Sequence, residues 1–153
     1  MIKLMVTRFN NVTWEENVRW RERENFTGCI YNCPNHIKET ITLLVPIFVV
    51  EMNNDKNKIM GIGKIINKVY TNRKYKIYSD NNYNRYTYKG KIRIDRNEII
   101  KLESKMVEHI ECLESKLFKG YRHLKRGQGI TSVSEDISRE FLSIVEKKIF
   151  INF

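Results

Sequence analysis

The chain reads as an α+β domain, a mixed sheet or small barrel flanked by helices, and three observations predict this. The apolar pattern runs strand, helix, several strands and then two helices, an order that packs helices onto a β core. The length of 153 residues matches a single domain over residues 1–153. Burial at that size reaches roughly 70% of the unfolded surface, so no metal or disulfide staple is required. Charged residues make up 30% and hydrophobic ones 41%, the balance of a globular chain rather than a disordered one.

Residues 2–9 read as the first strand. Thr13-Trp-Glu-Glu16 is a capping-box pattern with Thr13 at the cap and Glu16 reaching back, and it predicts a helix over 14–24. Trp14, Asn17, Val18 and Arg21 share one face of it. Trp20 points to another side, so one indole belongs to the core and the other to the surface or a pocket mouth. Residues 28–33 read as short and irregular, closed by Pro34. Residues 45–52 are β-branched and apolar, a buried strand. Asn53-Asn54-Asp55 is turn chemistry, and 58–67 return as the second arm of a hairpin. Alternation at Tyr75 and Ile77, Tyr86 and Tyr88, and Ile92 and Ile94 predicts strands across 74–94, broken by a turn at 79–82. Residues 103–118 form an amphipathic helix with Met106, Ile110, Leu113 and Leu117 inward and Gly120 past its end. Residues 134–149 form another, capped by Ser134, with Ile137, Phe141, Ile144 and Val145 inward.

Several function classes find no support. The longest apolar run, 41–50, is interrupted by Thr42 and Pro46 and falls short of the ~20 residues of a membrane span. The first residues lack a secretory pattern, and three cysteines make no disulfide framework, which together predict a reducing, intracellular compartment. Cys29, Cys33 and His36 lack a fourth ligand, so no metal is expected. Cys112 reads as packing. Gly61-Ile-Gly63 lies inside a strand, so it marks a barrel-corner bend or a close backbone approach rather than a cofactor loop. No cofactor is expected. No serine stands in a nucleophile elbow and no carboxylate pair is evident, so catalysis finds little support.

The net charge of +10 is concentrated. Residues 64–101 hold eleven Lys/Arg and three acids, and residues 119–126 hold four cations and no acid. A lysine-rich solvated surface would account for the charge alone. Tyr70, Tyr75, Tyr78, Tyr83, Tyr86 and Tyr88 are interleaved with the cations, however, as base stacking beside phosphate contacts requires. The expected partner is RNA, single-stranded and possibly modified at its bases, in preference to duplex DNA. Exposed bases can use aromatic platforms, and no helix has the uniformly basic face of a major-groove reader. Trp14, Asn17, Arg21, Tyr31 and Asn53 are the candidate base pocket. Tyr86, Arg122, His123, Lys125 and Arg126 are candidates for the strand-binding surface.

Trp14-x2-Asn17, Cys29-Ile-Tyr31, the 47–54 run Ile-Phe-Val-Val-Glu-Met-Asn-Asn and the 58–63 run Lys-Ile-Met-Gly-Ile-Gly resemble a little-characterised protein family of nucleocytoplasmic large DNA viruses. Phe118-Lys-Gly120 and the 123–131 run belong to the same resemblance, which covers about residues 8–133. The absence of alanine and the abundance of Asn, Ile, Lys and Tyr agree with an AT-rich source. The resemblance implies residence in a host cytoplasm or virion. More distantly, the 45–65 hairpin is similar to one in the PUA-like superfamily, which includes EVE, ASCH and YTH domains. That similarity implies a small, partly open mixed β-barrel with flanking helices and an aromatic pocket for RNA or a modified base. A three-aromatic cage of the YTH kind is not found at matching positions. Two alternatives remain: an ASCH-like nuclease or hydrolase using His123, Lys125 and Glu51, or a basic virion or interaction protein without a base pocket.

Overall fold

Alternation along the central strands sends Val6, Phe48 and Val50 to one face and Met5, Ile47 and Val49 to the other, so one sheet separates two cores. A computed structural model describes residues 1–153. Its elements are β1 (Lys3–Phe9), α1 (Asn11–Arg23), β2 (Cys29–Cys33), β3 (Pro46–Asn53), β4 (Lys58–Ile66), β5 (Tyr86–Gly90), β6 (Ile92–Asp95), α2 (Arg96–Ile100), α3 (Met106–Phe118), β7 (Thr131–Ser132) and α4 (Glu135–Ile144). A π-helical turn, Val145–Ile149, continues α4. The fold is α+β. No helix is long and apolar enough to cross a membrane.

Five strands form a mixed sheet in the order β6-β4-β3-β1-β7, and β2 and β5 form a separate antiparallel ribbon. β1 runs parallel to β3, joined through α1 and β2, while β3 and β4 form the expected antiparallel hairpin. The larger sheet ends at β6 and β7, so of the expected mixed sheet or small, partly open barrel the sheet is what forms, with the ribbon laid across one face. Met106, Ile110, Leu113 and Leu117 of α3, with Ile137, Phe141 and Val145, cover the other face. Trp20, Ile30, Tyr31, Tyr75, Tyr78 and Tyr88 fill the ribbon side.

Local chemistry explains where the elements depart from expectation. α1 begins at Asn11 because Asn10, not Thr13, is its cap: Asn10 Oδ1 accepts the Thr13 N–H at 2.8 Å, and Thr13 Oγ1 accepts the Asn10 N–H at 3.0 Å. Glu16 instead accepts the Ser79 N–H at 2.8 Å and ties α1 to a distant loop. Residues 29–33 are a strand with all five residues buried, paired with β5. The stretch 75–78 joins no strand ladder, since Asn84 Oδ1 takes the N–H groups of Ile77 and Tyr78. Cys112 is exposed, on the solvent side of α3, rather than packed.

The glycines of β4 mark close approach and not a barrel corner. A Cβ at Gly63 would strike the Tyr31 hydroxyl and Cys29 Sγ, and one at Gly61 would strike the Arg93 guanidinium and the Ile94 carbonyl. β4 also carries a bulge. Glu51 pairs with Gly61 but Met52 with Ile59, leaving Met60 unpaired.

Candidate nucleic-acid interface

Buried Asn32 ties together, from beneath, the segments that wall an open groove. Its Nδ2 donates to the Tyr75 carbonyl at 2.6 Å and to Asn84 Oδ1 at 3.0 Å, and its Oδ1 accepts the Thr87 hydroxyl at 2.6 Å. Three segments that share no common ladder are thereby locked together. Asp80 caps the short 3₁₀ turn Asn81–Asn84 by accepting the Asn82 N–H, and the Tyr70 N–H donates to the Thr87 carbonyl.

The groove measures about 1000 Å³ and is lined by His36, Tyr70, Arg73, Lys76, Arg85 and Tyr86 among others, with no carboxylate in its wall. The His36 ring lies on Tyr86 with centroids 3.6 Å apart. Lys89 Nζ sits 4.8 Å from the Tyr70 ring centre and 4.9 Å from that of Tyr75, while the Arg73 guanidinium is 4.7 Å from Tyr75. Burial pushes the Tyr75 phenol up, but the Lys89 and Asn72 hydrogen bonds win, and its pKa lies below the ordinary tyrosine value. Arg73 also pairs with Glu24 at 2.8 Å. Lys74, Lys76 and Arg85 are exposed and belong to no ion pair. Rings flanked by free cations can stack bases and hold phosphates.

The second basic segment lies on the other layer. Leu124 packs against the α3–α4 core, and Tyr121, Arg122, Lys116 and Lys119 surround a hollow of about 470 Å³. Tyr121 is 95% exposed. Arg122 and Arg126 are exposed, whereas His123 and Lys125 are half-buried, with His123 Nδ1 accepting the Lys125 N–H at 3.2 Å. Glu51 lies on the ribbon side of the sheet, so His123, Lys125 and Glu51 do not meet as the nuclease alternative requires.

The expected base pocket is only partly assembled. Tyr31 is 2% exposed, and its hydroxyl donates to Glu51 Oε2 at 2.6 Å. Asn53 is fully buried, its Oδ1 accepting the N–H groups of Asp55 and Lys56 and its Nδ2 donating to Asn11. Asn17 is buried and donates to the Ile30 carbonyl at 2.8 Å and the Tyr78 hydroxyl at 3.2 Å, while accepting Arg21 Nε at 2.8 Å. These three side chains are spent on the fold. Trp20 is the core indole, and Trp14 is half-buried with its edge against Phe9. The guanidinium groups of Arg21 and Arg93 lie 5.5 and 5.4 Å from the Trp14 ring centre.

Arg93 and Glu51 form the molecule's buried ion pair, Nη2 to Oε1 at 2.7 Å, with side chains 7% and 2% exposed. Burial alone would lower the Arg93 pKa, yet the Glu51 charge and hydrogen bonds outweigh it and hold it above the ordinary value. Burial pushes the Tyr31 phenol up, reinforced by Cys29 and Glu51. It pushes Cys29 and Cys33 up to about 12.

Tyr86 and the 64–101 cations are visible in the sequence, which offers His36 only as a metal ligand. Its position two residues beyond Pro34, facing Tyr86 across the ribbon, depends on the β2–β5 pairing. No protein-family model, curated protein or solved structure shows significant similarity to the chain.

Proposed function

We propose that the protein binds single-stranded RNA in the groove between His36 and Arg85. The carrying observation is the acid-free wall in which unpaired cations flank aromatic rings. Stacking on Tyr86, His36 and Tyr70 would hold bases, and Lys74, Lys76 and Arg85 would hold phosphates, which position a strand without specifying it. Single strands suit such platforms because their bases are free to turn outward. The PUA-like relationship belongs to this reading, supported by the observed β3–β4 hairpin and the ribbon laid over the sheet. So does service in a viral host cytoplasm or virion, which rests on the sequence resemblance.

Titration of labelled single-stranded RNA at low and moderate salt tests the proposal. Affinity should fall steeply with salt, as counterion release demands, and Lys76→Ala with Arg85→Ala should flatten the slope. Salt-independent affinity, or no binding at low salt, refutes it. One observation favours a second reading. A second basic patch, with Tyr121 at its tip, faces away from the groove, as bridging or packaging of a polyanion would require.

A further inference from the structure

Arg21 is a half-buried guanidinium without a counter-ion. Its hydrogen bond is Nε to Asn17 Oδ1, and it pairs with no carboxylate. Burial, followed by repulsion from Arg93, lowers its pKa. A charged group so placed gains from an anion. Beside it opens a hollow of about 400 Å³ whose wall includes Trp14, Lys56, Lys58, Arg93, Asp95 and Arg96.

The charges there do not cancel. Arg93 is matched by Glu51 and Asp95, and Arg96 by Glu114. Lys56 and Lys58 are exposed and unpaired. Five cations against three carboxylates leave an excess of two. Two further acids, Asp55 and Glu98, keep their charges but do not line the hollow, their carboxylates accepting the Asn11 and Asp95 N–H groups.

We propose that this hollow binds a phosphate dianion, either inorganic phosphate or the terminal phosphate monoester of a nucleic-acid strand. A monoester near pH 7 carries close to two negative charges and three acceptor oxygens. That matches the excess charge and the free ends of Arg21, Lys56 and Lys58, whereas a backbone diester carries one charge. Trp14 holds the Arg21 fork in place through its ring face. This site is independent of the RNA groove.

Calorimetric titration of the full chain with inorganic phosphate is the test. Binding should weaken from pH 7.5 to 5.5 as inorganic phosphate takes up a proton and loses its second charge, while sulfate, dianionic at both, should not change. Arg21→Gln should lower phosphate affinity about tenfold and the surface change Lys58→Gln several-fold, and Lys76→Ala in the groove should not alter it. A 5′-phosphorylated oligoribonucleotide that binds at least fivefold tighter than its 5′-hydroxyl counterpart assigns the strand terminus. Equal oligonucleotide affinities beside intact phosphate binding assign the free ion. No phosphate binding by the folded protein, or binding that both variants leave unchanged, overturns the proposal. RNA binding lost in groove variants does not affect this readout.

Discussion

A carboxylate buried as deeply as Glu51 must have both oxygens engaged, and Arg93 and the Tyr31 hydroxyl engage them. Glu51→Ala should therefore cost about 3–5 kcal/mol in urea unfolding, because Arg93 would stay buried with only the more exposed Asp95 as a counter-charge. Replacing the two together, Glu51→Leu with Arg93→Met, should cost less than the single change. The thiols give a second outcome at this scale. With Cys29 and Cys33 pushed up to about 12, only about one in ten thousand is thiolate at pH 8. A thiol reagent should modify one cysteine, the exposed Cys112, in the native protein and three after denaturation. The same shifts bear on stability. Unfolded thiols lose protons above about pH 9 while native ones keep theirs, so the native state binds more protons and stability falls as pH rises. The loss should be at most about 1.4 kcal/mol per thiol per pH unit between about 9 and 12, measured by unfolding across that range.

At the element scale, the caps decide where helices begin. Asn10→Ala should cost about 1 kcal/mol by removing the acceptor for the Thr13 N–H, read as a lower melting temperature. Gly90→Ala should be far more damaging than a surface change, since its Cβ would meet the rigid Lys64 carbonyl. The β3–β4 hairpin and the apolar stripes of α3 and α4 were legible because their signals are local: a turn between two β-branched runs, and spacings of three and four. β2 was not. All five of its residues are buried, so Cys29-Ile-Tyr-Asn-Cys33 has no polar alternation to announce a strand. The base pocket is only partly assembled for a related reason. Helix spacing put Trp14, Asn17 and Arg21 together correctly, but nothing local shows that Asn17 is consumed by Ile30 and Tyr78. Interior hydrogen bonds between distant segments are invisible to periodicity.

For the whole molecule, the two basic segments add into one net charge but not one surface. The groove lies on the ribbon side and the Tyr121 loop on the helix side, with the five-stranded sheet between them. Lys125→Ala with Arg126→Ala should weaken different RNA sequences by a similar factor. Combined with Lys76→Ala and Arg85→Ala, the losses should add within about 0.5 kcal/mol, because the sites share no partners. A marked excess over the sum, measured by anisotropy at fixed salt, would mean instead that the two faces hold separate strands, each masking the loss at the other.

The position of β1 has a cost in time. It sits inside the sheet, yet it pairs Met5 with Ser132, 127 positions later, and Lys3 with Ile47. At roughly 5–20 residues per second of translation, about 6–25 seconds separate the synthesis of those two partners. Through that interval the apolar strand Leu4–Val6 has an unsatisfied backbone edge, the kind that recruits another chain. High contact order of this sort slows folding, and a ribosome paused before residue 131 would hold the protein in its most adhesive form.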